Sequence, residues 1–577
     1  MSGIMKLPLN FYVFFAIAGL WGCGTGVDQV VGPAKPVDPK LHAALTELTN
    51  SDSPAAMQKA VEDVVQIGDY RAAAFLKSFR EGQSIYKWKD RLVLVQGFHE
   101  GPGGVEVAKL FDSVLRTELT VDGKSAVAAK NELDEQSAPR RSRRQIQAAE
   151  DLLNLGSPDD TLCLQVARKC AQIPKPAFLA SLETLAEDPR RTDKIRRVAR
   201  TGVCLIKLSG SPPTRTEGEV LAAIKELGEL RSETAVGALK AFAEKDDTPP
   251  AVVAECEQAL AAIEGYQGKL RSLKHLFNGI SAGSILILMA LGLSIIFGLM
   301  GVINMAHGEL MMVGAYATYV VQNIFGHTQD TPASYYYIFA IPIAFLAAGL
   351  FGILIEFLVV RHLYGRPLDT LLATYACGLA MIQGARLIFG DNIGVNAPVP
   401  LVGSFEVFQD FNIAKARVFI IFFCAFGVLL IYVLMEKTRL GLLIRATTQN
   451  RSTARSLGVN SRYVDSLTFA FGSGLAGLAG CALTLVAGVT PDMGQNYIVD
   501  SFLVVVTGGV GELAGAVSAG LGIGVLNKII EPFFGWIFPE STASVTWGKV
   551  LILVLVVAFI QWRPAGLFPP KGRLADV

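Results

Sequence analysis

The sequence predicts an all-α protein: a polytopic membrane helical bundle of about nine spans, preceded by a signal segment and a soluble, helical, repeat-like domain. Three observations carry this prediction. Mean hydropathy is +0.41 and 51% of the 577 residues are hydrophobic, too apolar for a wholly water-soluble chain. Charged residues crowd the stretch before about residue 275 and are sparse after it, so two regions with different solvents are implied. Apolar positions recur at three- and four-residue steps before that break. After it they fill runs of about 20 residues, the length that crosses hydrocarbon at roughly 1.5 Å rise per residue. The resulting boundaries are 1–25 for a signal peptide or anchor, 26–267 for an exported helical domain and 268–577 for a transmembrane domain.

The first 25 residues hold Lys6, an apolar run FYVFFAIAGLWG and then Cys23. The run is too short for an ordinary span and suits a signal-peptide core, so export of the domain behind it is expected. Leu20-Trp21-Gly22-Cys23 resembles a lipoprotein cleavage box, but Trp21 is bulky where a small residue is usual. A signal peptide or uncleaved anchor without lipid is therefore preferred.

From about 40 to 267 the pattern is helical, with breaks at Gly156-Ser157-Pro158, Ser211-Pro212-Pro213 and Asp246 to Pro250. The phrases AAEDLLNLGSPDD and AAIKELGELRSET each read as a helix ending in a Leu-Gly turn before another helix. They form a weak internal repeat similar to HEAT-like α-solenoids. One strand-like stretch, Arg91 to Gln96, interrupts it. Gly123-Lys124-Ser125 is not a phosphate-binding loop, because Glu118 stands where the earlier glycine is required. The basic cluster Arg140 to Arg144 reads as a solvated helix start.

Several function classes drop out. A net charge of +1 gives no reason to expect a nucleic-acid partner. The eight cysteines form no CxxC pair and have no histidine at zinc-ligand spacing, so they read as apolar packing residues rather than a metal site. A disulfide among those of the soluble region would need an oxidising compartment. No catalytic constellation appears, so an enzyme is not expected.

The spans are expected near 280–300, 306–325, 338–360, 370–390, 417–435, 464–488, 498–512, 514–531 and 547–563, with an irregular or re-entrant turn around Thr507 to Glu512. The loop 436–463 holds Lys437, Arg439, Arg445, Arg451, Arg455 and Arg462 against Glu436, whereas 391–416 holds Asp391, Glu406 and Asp410 against Lys415. Short cytoplasmic loops collect cations, so the first is cytoplasmic and the second external. Parity then puts the region before the first span outside. Lys269, Arg271 and Lys274 run against that assignment. Polar groups in lipid are costly, about 3 kcal/mol for a charge at the bilayer centre, so they mark a route or a helix junction. The candidates for a translocation route or gate are Asn304, His307, Glu309 and Gln383, with hydrogen bonds that join helix ends as the competing role for His307 and Glu309. Glu356 and Arg386, near span ends, read as snorkelling to the interface.

Ile303-Asn304-Met305-Ala306-His307-Gly308-Glu309-Leu310, with Gly314-Ala315-Tyr316 shortly after, resembles the motif after the first span of branched-chain amino-acid-type ABC permeases. Arg366-Pro367-Leu368-Asp369-Thr370-Leu371-Leu372-Ala373-Thr374 is similar to the urea-transporter branch of that family. The resemblance covers roughly 276 to 570. It implies the permease subunit of a bacterial inner-membrane importer for a small polar solute, urea or short amides first and branched-chain amino acids as the alternative. It also implies partners: a second permease subunit, two cytoplasmic ATPase subunits that bind the ATP, and a periplasmic solute-binding protein. Gly441 to Tyr463 resembles the ATPase-docking loop, with Arg445, Ala446, Asn450, Ala454 and Gly458 at matching places. A short exposed helix with small residues on one face can seat in a partner's groove, and Gly458 can end it. A stand-alone urea or amide channel is the reading from another class.

Overall fold

The computed structural model describes residues 39–569, apart from 52, 83, 90, 101–105, 122–123, 210–215, 246–248, 327–332, 334, 409–410 and 538–542. The signal segment with Cys23 lies outside the described residues. The chain divides into two compact units, one within Val27–Gly268 and the other from Lys269 onward.

The first unit opens with helices α1 (Pro39–Thr49), α2 (Pro54–Ile67) and α3 (Ala72–Glu81). Ser53 caps α2 by accepting the Ala56 N–H at 3.2 Å, with Pro54 in the first turn, and Gly68 at φ 69° ends it. Their apolar faces meet α4 (Arg143–Leu155) around Leu45, Phe75, Phe79, Ile146 and Leu153.

Between α3 and α4 the structure departs from an all-helical reading. Residues 85–135 form a six-stranded antiparallel sheet of β1 (Ile85–Trp88), β2 (Arg91–Val95), β3 (His99–Glu100), β4 (Glu106–Asp112), β7 (Val127–Ala129) and β8 (Asp134–Glu135). A separate pair joins β5 (Thr120–Val121) to β6 (Lys124–Ser125). Only β2 was expected. Its partners are short and mixed in polarity, so alternation has too few residues to register. The sheet closes on Val93, Val95, Ala108, Leu110, Ala126 and Ala128, a core assembled from separate stretches of sequence.

Helices α5 (Asp160–Gln172), α6 (Leu179–Glu187), α7 (Asp193–Ser209), α8 (Glu217–Leu230) and α9 (Ala235–Ala243) come next, with α7 packed on α5, α6 and α8. The two repeat phrases span the α4–α5 and α8–α9 junctions, but only the first helix ends at its Leu-Gly: Leu227-Gly228 lies inside α8, which runs on to Leu230. Their turns differ: Gly156 keeps a right-handed φ of −81°, while Arg231 takes the left-handed one at 52°. Cys163, Cys170, Cys204 and Cys256 are buried free thiols, and burial pushes Cys170 and Cys204 up to about 12. They pack as apolar side chains.

In the second unit, helices occur at all nine expected positions: the end of α10 (Pro250–Met300), α11 (His307–Ile324), α12 (Tyr336–Leu358), α13 (Pro367–Phe389), α14 (Lys415–Lys437), α17 (Ser461–Leu483), α18 (Met493–Gly508), α19 (Leu513–Ile537) and α20 (Ala543–Trp562). Among the described residues, six of them, α10, α12, α13, α14, α17 and α19, are long and apolar enough to cross a membrane. At 16 residues α18 reaches only about 24 Å, short of hydrocarbon roughly 30 Å thick. Helix α11 begins with His307 and Glu309 and is buried inside the bundle. Between α18 and α19 lie Gly509 (φ 106°) and Gly511 (φ 82°), and the C-terminal segment closes this turn, Leu567 N–H donating to Thr507 O at 2.8 Å.

Helix α17 packs against α12 and α11. Backbones approach through facing small residues: Gly314 of α11 against Gly477 of α17 and Gly292 of α10 against Gly472 of α17, with Gly308 of α11 meeting Gly494 of α18. In lipid this close approach replaces hydrophobic drive with dispersion. Tyr337 adds a hydroxyl bond to Cys481 O at 2.7 Å. A side chain at position 314 would run into the Gly477 backbone, so Gly314→Leu is expected to prevent accumulation of folded protein in membranes, whereas Gly522→Ala, at a position with open space, should not. Membrane-fraction immunoblots and detergent gel filtration would check this.

Candidate route residues and partner-docking loop

The bundle contains a helix start well inside it. Helix α10 ends at Met300, Gly301 turns left-handed at φ 67°, and an irregular stretch leads to α11 at His307. Asn304 Oδ1 accepts the Ala306 N–H at 3.1 Å, fixing that entry as an Asx turn. The Met305 N–H donates to Thr374 Oγ1 of α13 at 3.1 Å. The His307 ring lies 3.1 Å from Met289 O through Nε2 and packs where a side chain on Gly292 would stand. Glu309 faces Gly378 of α13, where an added Cβ would sit 3.1 Å from Oε2. Glu309 Oε2, His307 Nδ1 and Asn304 Nδ2 are buried without hydrogen-bond partners among the described residues. Three side chains that each leave one buried polar atom unsatisfied, gathered around one helix start, are costly unless something polar meets them.

The structure therefore brings together Asn304, His307 and Glu309 but not Gln383, which is exposed on the surface of α13. Sequence reading missed Thr374 and Gly378, which hold and admit the group from α13. The signal was Thr370 and Thr374 four residues apart on one helical face, both buried. The two residues expected to snorkel behave differently. Arg386 does reach a helix end, pairing with Asp391 and Asp492 at 2.9 Å each. Glu356 does not snorkel: it is buried, accepts the Ser466 hydroxyl at 2.6 Å and pairs with Arg361 at 3.4 Å.

The loop after α14 folds as two short helices, α15 (Arg439–Gln449) and α16 (Arg451–Ser456). Asn450 caps α16 by accepting the Thr453 N–H at 3.0 Å. Gly458 at φ 88° ends it, with Gly458 N–H to Arg455 O at 2.9 Å and Val459 N–H to Ala454 O at 3.0 Å, a Schellman closure. Arg445 pairs with Glu436 at 3.0 Å and Ala446 is half-buried. Ala454 is buried against the bundle, so its small size serves packing inward rather than a surface. Residues not singled out from sequence form the outward face: Leu442 is 61%, Leu457 80% and Tyr463 63% exposed.

This loop is pinned by charge. Arg451 pairs with the buried Asp465 of α17 and stacks over Tyr364, 4.4 Å from the ring centre, in the connection between α12 and α13. Burial raises the Tyr364 hydroxyl despite the nearby Arg451 guanidinium. Arg455 Nε donates to Ser461 Oγ at 2.8 Å. Together with Glu356, Arg361 and Ser466, these side chains tie α16 to α12 and α17.

Among the described residues, six helices long and apolar enough to cross a membrane, joined by an interior helix start and an exposed loop, have the make-up of a multi-pass membrane protein. Residues 275–560 of this chain match the family described as branched-chain amino acid transport system / permease component. The chain is similar to the high-affinity branched-chain amino acid transport system permease protein BraD of Pseudomonas aeruginosa, 29% identical over 51% of this chain and 95% of the relative. It is also similar to the permease protein LivH of Salmonella typhimurium, 29% identical over 49% and 93%. The probable permease LivH of Methanocaldococcus jannaschii is 26% identical over 49% and 88%. These relatives are transport permeases and not enzymes. No solved structure matches the chain. Among the described residues, no three His, Cys, Asp or Glu side chains gather as a metal site.

Proposed function

We propose that the chain is the permease subunit of an ATP-driven importer in the bacterial inner membrane, working by alternating access. In this reading it pairs with a second permease subunit and with two cytoplasmic ATPase subunits, and a periplasmic binding protein delivers the solute. The region before Lys269 then lies on the periplasmic side. The observation that carries the reading is the loop Gly441 to Tyr463: it exposes Leu442, Leu457 and Tyr463 on a basic surface yet is clamped through Arg451 to α17 and to Tyr364 of the α12–α13 connection. Exposed apolar side chains on a rigid scaffold are what a partner's groove binds. Arg445, Ala446, Asn450 and Gly458 frame that surface, and Asn304, His307 and Glu309 are the polar groups a solute would meet within the bundle.

For the solute, the names of the relatives favour a branched-chain amino acid. The urea reading rests on Arg366 to Thr374. In that segment Thr370 donates to Arg366 O at 2.9 Å, Thr374 to Thr370 O at 2.9 Å, and Leu368 and Leu372 are exposed. These residues build the start of α13 and hold the 301–306 stretch, a structural role that any solute tolerates. Uptake of labelled leucine and labelled urea by cells expressing the complete transporter decides between them. Leucine uptake, saturable and competed by valine but not by urea, is the expected result; urea uptake untouched by leucine would reverse the assignment.

A further inference from the structure

Lys269, Arg271 and Lys274 lie just before the first membrane helix, on the side opposite the basic 436–463 loop, where loop charge predicts few cations. Lys274 lines a cavity of about 180 Å³ with Phe277 and Asn278 of α10, Phe411 and Asn412 of strand β10 (Phe411–Ala414), and Arg417 of α14. The side chains of Lys274, Asn278, Asn412 and Arg417 have no hydrogen-bond or ion-pair partner among the described residues. Among the described residues no carboxylate lines the cavity; Glu406, opposite Asn412 across the hairpin with strand β9 (Ser404–Phe408), is not among its walls. Two cations facing one half-buried space repel each other unless an anion stands between them. The space admits several groups the size of water, which occupies about 30 Å³ in the liquid.

The position of the cavity says which anion. Asn278 marks where the apolar stretch of α10 begins, and Lys415 is the first residue of the 23-residue apolar helix α14. The cavity therefore sits where both helices enter hydrocarbon, at the level of lipid headgroups. Its surroundings are apolar and exposed: Leu273 and Leu276 beside Lys274, and Phe405 and Val407 on β9. A cationic cleft with an apolar fringe fits a molecule with a phosphate at one end and acyl chains at the other.

We propose that Lys274, Asn278, Asn412 and Arg417 form a binding site for the phosphate of an anionic phospholipid headgroup. Arg417 and Lys274 supply charge, and the two amides donate to the remaining oxygens. The site accounts for one of the three cations that run against the loop-charge assignment: the Lys274 charge meets a lipid phosphate.

The test uses the full chain purified in uncharged detergent, with dioctanoyl phosphatidylglycerol, dioctanoyl phosphatidylcholine and inorganic phosphate as probes, read by native mass spectrometry and thermal unfolding. The glycerol lipid should bind and raise the unfolding midpoint. Lys274→Gln/Arg417→Gln should weaken it by about tenfold or more, two surface cations being removed. Asn412→Asp changes one exposed side chain and places a carboxylate in the cavity; it should weaken binding likewise and guards against a double variant that fails to fold. Phosphatidylcholine should bind more weakly than the glycerol lipid, and inorganic phosphate should not displace the lipid. Equal lipid binding by wild type and both variants would overturn the site. Full displacement by inorganic phosphate would keep an oxyanion cleft but overturn the lipid as its occupant.

Discussion

Arg451→Met is expected to destabilise the membrane unit by about 2 kcal/mol or more and to abolish uptake. Removing one partner of a buried pair costs roughly 3–5 kcal/mol because the other charge is left uncompensated. Asp465 is that charge, with its side chain only 7% exposed, while Arg451 is 32% exposed, which lowers the expected figure. The double variant Arg451→Met/Asp465→Leu removes both charges and should regain much of the lost stability. Uptake is the discriminating readout. If the pair serves stability alone, the double variant transports normally. If it holds α16 against α17 so that motion at the loop reaches the spans, stability returns and transport does not.

Glu309→Gln is expected to lower uptake by about tenfold, equivalent to about 1.4 kcal/mol in the rate-limiting barrier, with the amount of folded protein unchanged. The substitution keeps size and hydrogen-bonding atoms, and Glu309 Oε2 has no partner to lose among the described residues. Gly378→Val gives an independent check from the facing helix, since its side chain would press on the Glu309 carboxylate. Uptake measured against membrane-fraction protein separates the two roles. Full activity in Glu309→Gln would reduce this carboxylate to a junction between helix ends.

Much of the membrane unit was legible because its signals are local. An uninterrupted apolar run marks a helix regardless of what it touches, and a cluster of six cations in one loop gives an expectation of its side relative to a loop of acids. Whether a run crosses the membrane was less legible: α11 and α18 carry apolar runs too, but their polar starts and short length follow from tertiary burial. The sheet of residues 85–135 was hidden for the opposite reason, since its core draws single residues from strands far apart in sequence. At the candidate sites, Asn304, His307 and Glu309 stood out as polar residues in lipid. Thr374 and Gly378 did not, because a threonine and a glycine in an apolar helix carry no chemistry until a neighbour arrives. Leu442, Leu457 and Tyr463 went unnoticed in the loop because attention to small residues favours helix packing, and Ala454 proved to be packed inward.

The central claim, that solute movement through this chain is driven by ATPases seated on the Gly441 to Tyr463 loop, is tested most directly in proteoliposomes. The chain would be reconstituted with its permease partner, with and without the ATPase subunits, and solute uptake measured with ATP and binding protein supplied. Uptake is expected only in the complete system, together with loss of both ATPase co-purification and uptake in Leu457→Asp/Tyr463→Asp, whose substitutions lie on exposed positions. Equal solute flux through the chain without ATPases would contradict the claim and establish a channel instead.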